Sequence, residues 1–224
     1  MNEEKEIDKN SKAYKFAAGK GVMNLPNKLT ISRMCMIPAF IALFYVQFLS
    51  HYLVALAVFA IACLTDLFDG KIARKYKLVT NLGKFLDPIA DKVLVLSALV
   101  IMLTVPQFFT LNFGQWALIA GGCGVALILA REIIVSGFRM VAAGAGMVIA
   151  ADNFGKYKTV CQDISIVVLL IAAGFGEFAS MNEGVRLTSE ILNYIGLGFF
   201  ALAVLLTVIS GVNYIVKNIQ VLKQ

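Results

Sequence analysis

Charged residues are scarce in this sequence of 224 residues. Asp, Glu, Lys and Arg make up 15% of it, whereas hydrophobic residues make up 59%. Soluble globular domains are about a quarter charged and about half apolar, and disordered chains contain still fewer apolar residues. The composition therefore excludes both classes and indicates a membrane protein. At about 20 residues per spanning helix, the chain can supply about six helices and has no room for a separate soluble domain.

Histidine and cysteine are also rare, with one His and four Cys residues in the chain. The cysteines are single residues in apolar segments and lack the paired spacing of a zinc site. We therefore interpret them as small buried hydrophobic residues.

Three long stretches contain no charged residue: 32 residues after Arg33, 38 after Lys92 and 26 after Glu190. Each of the first two is too long for one membrane-spanning helix, so it predicts a helical hairpin. We expect the turns near 50–51 and 105–107, where turn-forming residues interrupt the apolar run. The predicted fold is all-α and polytopic, with six transmembrane helices near 27–49, 52–75, 87–105, 114–140, 155–175 and 190–217.

Basic residues are expected almost entirely on one side of the membrane. If the N-terminus is cytoplasmic, 19 of the 20 Lys and Arg residues fall on the cytoplasmic side, and Arg186 is the exception. This asymmetry predicts that both termini are cytoplasmic. The net charge of +6 then faces anionic lipid headgroups and anionic substrates, so we expect no nucleic-acid partner.

Four aspartates lie at the junction between two predicted helices. Asp66 and Asp69 close the second helix, and Asp87 and Asp91 open the third. Spacings of three and four residues place each pair on one helical face, so a hairpin could bring all four carboxylates together. Such a cluster is tolerable when one or two divalent cations bind to it, and oxygen ligands favour Mg²⁺ or Mn²⁺ over Zn²⁺. The alternatives are ordinary helix-end aspartates paired with nearby Lys and Arg, or an ion carrier.

The residues around these aspartates resemble the signature of the CDP-alcohol phosphotransferase family. Every fixed position is matched by Asp66-Leu67-Phe68-Asp69-Gly70-Lys71-Ile72-Ala73-Arg74, followed at the family's spacing by Gly83, Asp87 and Asp91. The resemblance implies a six-helix membrane enzyme, commonly a homodimer, that transfers the phosphatidyl group of a CDP-linked lipid to an alcohol and releases CMP.

The same resemblance implies roles for individual residues. Two divalent cations, Mg²⁺ or Mn²⁺, would bind to the four aspartates, and Asp91 would also be the base that deprotonates the acceptor hydroxyl. The residues at the headgroup of the CDP-linked lipid would be Asn27, Thr30, Gly70, Ala73, Arg74 and Thr80. For Asn27 and Thr30 the alternative is a structural one, because Asn and Thr are also common helix N-caps.

Three basic residues in the second half of the chain favour a phosphorylated acceptor. Arg131, Arg139 and Lys156 are all expected at the cytoplasmic face, and a neutral alcohol would not compensate their charge. The alternative is that they anchor helix ends to lipid phosphates. The runs 26–33, 131–134 and 155–159 resemble those of bacterial family members whose acceptor is sn-glycerol 3-phosphate. This resemblance implies that the three basic residues hold the acceptor's phosphate, and that Lys158 assists them.

The predicted function is transfer of the phosphatidyl group of CDP-diacylglycerol to sn-glycerol 3-phosphate at the cytoplasmic face of a bacterial cell membrane. The resemblance extends over about residues 23–220, which we predict to be one six-helix domain. Residues 1–22 lie outside it and are predicted to be a cytoplasmic juxtamembrane segment. The alternatives are a family member with another acceptor, such as a phosphatidylinositol-phosphate or cardiolipin synthase, and a divalent-metal or proton-coupled transporter.

Overall fold

The computed structural model describes residues 24–76, 78, 80–109, 114–144 and 153–218, except for the side chains of several helical residues. Over these residues the structure contains six α-helices, one 3-10 turn at Pro106–Phe108 and no strand. The all-α prediction is therefore confirmed for the described part of the chain. The helices are α1 (Leu25–Tyr45), α2 (His51–Lys75), α3 (Asn81–Leu103), α4 (Gly114–Gly144), α5 (Asn153–Gly176) and α6 (Glu183–Asn218).

Five of the described helices contain a segment long and apolar enough to cross a membrane. These segments are Leu25–Tyr45, His51–Ile72, Gly114–Ala142, Phe154–Gly176 and Glu183–Asn218. The chain is thus a helical membrane protein. The remaining helix, α3, carries the charged residues Asp87, Asp91 and Lys92 in its N-terminal half. The count of six spans and the cytoplasmic location of both termini stay predictions.

The described residues fall into two compact units that divide between Ser97 and Ala98. In the first unit, α1 and α2 form a hairpin with an aromatic core. The ring centroids of Phe40 and Phe59 are 5.8 Å apart, and those of Phe44 and Tyr52 are 5.3 Å apart. The two helices are joined at Ser50, whose φ of 69° lies in the left-handed region. The turn predicted near 50–51 is confirmed.

In the second unit, α5 and α6 form a closely packed hairpin. The hydroxyl of Ser165 donates a hydrogen bond to the carbonyl oxygen of Gly196 at 2.9 Å. A Cβ atom added to Gly196 would lie 2.7 Å from Cγ of Leu169, so only glycine permits this approach. Helix α4 packs on α6 in a similar way, because a Cβ atom on Gly124 would lie 2.9 Å from the Phe200 ring.

Two helices begin earlier than the sequence predicts. Helix α3 begins at Asn81 instead of 87, and α6 begins at Glu183 instead of 190. The first turns of both are polar, so hydropathy places the start too late. The side chain of Thr80 accepts a hydrogen bond from the Gly83 backbone N–H at 3.0 Å, which is the bond that an N-cap makes. The polar start of α6 is stabilised by ion pairs of Arg186 with carboxylates on both sides of it.

The prediction that all four cysteines are buried is wrong. Cys35 and Cys123 are exposed on the protein surface, and Cys63 and Cys161 are half-buried. Small apolar side chains need no protein core on a membrane-spanning helix, because lipid tails are as apolar as the interior of the protein.

Candidate functional site

The first turns of α1 are joined to the connection between α2 and α3 by asparagine side chains. Asn24 is the N-cap of α1, since its Oδ1 accepts the backbone N–H of Asn27 at 3.0 Å. Its Nδ2 donates to the carbonyl oxygen of Leu78 at 2.8 Å. Asn24 therefore has the capping role considered for Asn27 and Thr30, both of which lie inside the helix. Their side chains are buried and make contacts other than capping.

Asn27 and Thr80, two residues predicted to bind the CDP-linked lipid, are in direct contact. Nδ2 of Asn27 donates to Oγ1 of Thr80 at 2.8 Å. Gly83 lies beneath this pair: a Cβ atom there would be 2.8 Å from Oδ1 of Asn27 and 3.3 Å from Oγ1 of Thr80. The glycine of the family signature is thus required at this position by the approach of α1 to the start of α3.

Two of the four predicted metal ligands form hydrogen bonds to α1. Nη1 of Arg33 donates to Oδ1 of Asp66 at 2.5 Å, and Oγ1 of Thr30 donates to Oδ1 of Asp87 at 2.8 Å. Thr30 and Arg33 are three residues apart and therefore lie on one face of α1. The structure thus brings Asp66 from α2 and Asp87 from α3 to the same face of a third helix.

Asp91 and Gly70 are further residues of the predicted carboxylate site. Asp91 lies one turn beyond Asp87 on α3 and is exposed, and Gly70 is half-buried. The side chains of Asp69, Ala73 and Arg74 lie outside the described part of the structure. Among the side chains described, no three His, Cys, Asp or Glu residues form a metal-sized group. Since Asp69 is not among them, the four-carboxylate cluster stays a prediction.

Basic residues of the second unit form a buried ion-pair cluster centred on Glu132. Its Oε1 accepts hydrogen bonds from Nη1 of Arg131 and from Nζ of Lys158, both at 2.9 Å. The side chain of Lys158 is 3% exposed, and those of Arg131 and Glu132 are each 12% exposed. Glu132 is therefore a partner of basic residues, as the sequence predicts, and it links α4 to α5.

Two glycines make room for the Arg131 side chain. Cβ atoms added to Gly155 and Gly211 would lie 3.1 Å from its Nη2 and 3.2 Å from its Cγ, respectively. The Nε atom of Arg131 is buried and has no hydrogen-bond partner among the described residues. The guanidinium therefore lies in a narrow slot and keeps a donor that an anionic ligand could use.

The structure gives the other two predicted phosphate-binding residues different surroundings. The guanidinium of Arg139 lies over the ring of Tyr214, with 5.9 Å between its Cζ and the ring centroid. Lys156 is exposed at the start of α5. Lys158, which the sequence suggests only as an assisting residue, is the lysine that the structure joins to Arg131 through Glu132.

Arg33 is a charged residue of this site that the sequence did not single out. It is 1% exposed, although it carries a full charge on an apolar helix. Sequence analysis counted it among the basic residues of the N-terminal region. Ionisable residues within a membrane-spanning helix usually have a functional role, and that signal could have identified it.

These features define a helical membrane protein with carboxylates held near helix ends in one unit and a buried basic cluster in the other. The sequence model of the CDP-alcohol phosphatidyltransferase family matches residues 23–209. The chain belongs to this family.

Named relatives show similarity along most of the chain. It is 37% identical to the CDP-diacylglycerol–glycerol-3-phosphate 3-phosphatidyltransferase of Bacillus subtilis (strain 168), over 90% of this chain and 98% of the relative. It is 35% identical to the protein of the same name from Rickettsia bellii, over 85% of this chain and 93% of the relative. It is 38% identical to the one from Sodalis glossinidius, over 69% of this chain and 83% of the relative.

Proposed function

We propose that this protein transfers the phosphatidyl group of CDP-diacylglycerol to sn-glycerol 3-phosphate, giving phosphatidylglycerol phosphate and CMP. The observation that carries the proposal is the similarity to relatives named for this reaction, which spans 98% of the Bacillus subtilis protein. The carboxylates on α2 and α3, together with the buried cluster around Arg131, supply the residue types that the reaction needs.

The donor set of the first unit is suited to divalent cations. Asp66 and Asp87 present carboxylate oxygens, and the side chain of Asp66 is 37% exposed, so an ion can reach it. Oxygen ligands of this kind bind Mg²⁺ and Mn²⁺. We assign Asp66, Asp69, Asp87 and Asp91 as the residues that hold two such ions. When bound, the ions supply neutralisation of the pyrophosphate charge and stabilisation of the leaving CMP.

The chemical step is a displacement at phosphorus. The acceptor hydroxyl oxygen forms a bond to the phosphorus that carries diacylglycerol, and the bond from that phosphorus to the bridging oxygen breaks, so this oxygen leaves with CMP. Asp91 accepts the hydroxyl proton as general base. Its exposed position on α3 is compatible with access by a substrate from solution. Gly70, Ala73, Arg74 and Thr80 are assigned to the headgroup of CDP-diacylglycerol.

The second substrate is assigned to the basic cluster. Arg131 suits a phosphate ligand because its buried Nε has no partner among the described residues and its guanidinium is held in a slot between glycines. Planar guanidinium groups bind phosphate with two parallel hydrogen bonds. We assign Arg131 and Lys156, together with Arg139, to the phosphate of sn-glycerol 3-phosphate, and Lys158 to the support of Arg131.

We further propose that the protein spans a bacterial cell membrane six times as a homodimer, with the active site on the cytoplasmic face. The one-sided distribution of Lys and Arg supports this orientation. Cysteine labelling of single-residue variants at both termini, with a membrane-impermeant reagent on intact cells and on open membranes, tests it. Labelling of either terminus in intact cells would refute the orientation.

The reaction is tested with purified full-length protein in detergent micelles, supplied with CDP-diacylglycerol, Mn²⁺ and one acceptor at a time. We expect CMP release with sn-glycerol 3-phosphate and none with inositol phosphate or phosphatidylglycerol, which are the acceptors of other family members. CMP release only with one of the latter would replace the proposed acceptor. Mn²⁺ flux into liposomes without any CMP release would indicate a transporter instead.

A further inference from the structure

We infer that α1 positions the metal-binding carboxylates, with Thr30 holding Asp87 and Arg33 holding Asp66. The inference rests on the proposed function and changes the role of Thr30. In place of a contact to the nucleotide, Thr30 acts through the carboxylate of Asp87. Arg33 is not part of the family signature, and it acts on Asp66 as Thr30 acts on Asp87.

The Thr30 hydroxyl has one proton, and two acceptors among the described residues lie within reach of it. Oδ1 of Asp87 is 2.8 Å away, whereas the carbonyl oxygen of Pro26 is 3.2 Å away. A charged acceptor at the shorter distance makes the stronger hydrogen bond, so the Thr30 hydroxyl donates its hydrogen bond to Asp87. Thr30 is fully buried, so its hydroxyl is not exposed to a ligand in solution.

Arg33 holds the second carboxylate from the same helical face. Its guanidinium is 1% exposed, and the side chain of Asp66 that it contacts is 37% exposed. The arginine is therefore behind the carboxylate, and the aspartate is the member of the pair that reaches solvent. The hydrogen bonds from α1 go to Oδ1 of both aspartates, so these two residues would hold the cations with their remaining oxygen, Oδ2.

A single rigid helix fixes the two carboxylates relative to each other. Thr30 and Arg33 are separated by one helical turn, so their side chains keep a spacing of about 5–6 Å at Cβ. Asp66 and Asp87 belong to different helices, 21 positions apart in the sequence. A site for two cations would require a fixed separation of its ligands, and bonds to one helix provide it.

The test is direct binding of Mn²⁺ to the purified full-length protein in detergent, followed by the loss of the free Mn²⁺ electron paramagnetic resonance signal. Thr30→Val keeps the shape and charge of the site and removes only the donor to Asp87. We expect its dissociation constant for Mn²⁺ to rise about tenfold. This is the lower end of the loss in metal affinity that follows removal of a hydrogen bond to a metal ligand. Thr30→Ser restores the hydroxyl and should bind Mn²⁺ as the wild type does.

Thr207→Val is the matched control. Thr207 is also a buried threonine within a helix, α6, and its hydroxyl donates to the carbonyl oxygen four residues earlier. It should leave Mn²⁺ binding unchanged. Arg33→Lys keeps the buried positive charge while losing the planar donor group, so it should weaken Mn²⁺ binding in the same direction as Thr30→Val.

The Michaelis constant for CDP-diacylglycerol, measured at saturating Mn²⁺, separates positioning from nucleotide contact. We expect it to be unchanged in Thr30→Val. Unchanged Mn²⁺ affinity with a raised Michaelis constant in Thr30→Val would overturn the inference. An equal loss of Mn²⁺ affinity in Thr207→Val would overturn it too, and so would the absence of Mn²⁺ binding by the wild type. Failure of the wild type to use sn-glycerol 3-phosphate would refute the proposed function alone, because Mn²⁺ binding is measured without an acceptor.

Discussion

Removal of the Glu132 carboxylate tests whether the buried ion-pair cluster is formed. Glu132→Ala leaves the ammonium group of Lys158 in the interior, where the side chain is 3% exposed, with no carboxylate at its present 2.9 Å distance. The guanidinium of Arg131 loses its partner as well. Breaking a buried pair by removing one member costs about 3–5 kcal/mol, because an uncompensated charge stays out of water.

This cost predicts a large change in thermal stability. For a chain of this size each kcal/mol changes the melting temperature by about 2–4 °C, so Glu132→Ala should lower it by about 6–20 °C. The measurement is thermal unfolding of the purified protein in detergent, monitored by tryptophan fluorescence. Adding Lys158→Met should recover part of the loss, since it removes one of the two positive charges that Glu132→Ala leaves without this carboxylate.

Glu183→Ala provides the control for loss of a carboxylate. Glu183 is 79% exposed and lies 3.5 Å from Arg186, and an exposed pair of this kind contributes about 0–1 kcal/mol. If Glu132→Ala and Glu183→Ala unfold at the same temperature, the buried cluster does not exist as described. A raised Michaelis constant for sn-glycerol 3-phosphate in Glu132→Ala at low temperature would additionally connect the cluster to the acceptor.

Three further substitutions test packing and chemistry. Gly196→Ala places a methyl group 2.7 Å from a neighbouring leucine side chain and should cost about 1–3 kcal/mol in thermal unfolding, whereas Gly198→Ala meets open space and should not destabilise the protein. Gly83→Ala places a methyl group 2.8 Å from Oδ1 of Asn27. We expect kcat/KM to fall about tenfold or more, since a displacement of active-site groups by about 1 Å can lower the rate about a hundredfold. Unchanged kinetics would contradict this prediction. Asp91→Asn should lower kcat by about 10²–10⁴-fold while CDP-diacylglycerol still binds, and near-normal turnover would exclude Asp91 as the base.

The positions of the helices could be predicted well from the sequence, and their polar ends less well. Stretches without charged residues located the apolar segments, because crossing a membrane requires a run of about 20 apolar residues. The starts of α3 and α6 were placed too late because their first turns are polar. Hydrogen bonds and ion pairs at these starts, such as the one from Gly83 to Thr80, do not appear in a hydropathy pattern.

The candidate site was predicted in part. The spacing of the aspartates and the family signature are local properties of the chain, so Asp66 and Asp87 could be proposed as metal ligands without a structure. The contact of Arg33 with Asp66 was missed because the two residues lie 33 positions apart in the sequence. The basic residues predicted to bind the acceptor have different surroundings, since Arg131 is paired with Glu132 and Arg139 lies over Tyr214, and their role stays a prediction.

The sequence by itself determined that this is a helical membrane protein of the CDP-alcohol phosphatidyltransferase family, because composition, charge spacing and the signature are all read along one chain. The tertiary structure alone decided which side chains hold the carboxylates. The bond from Thr30 to Asp87 joins residues 57 positions apart, and the bond from Lys158 to Glu132 joins residues 26 apart. Such contacts depend on the register in which helices pack, and this register is set by many small contacts, including the glycines that allow close approach.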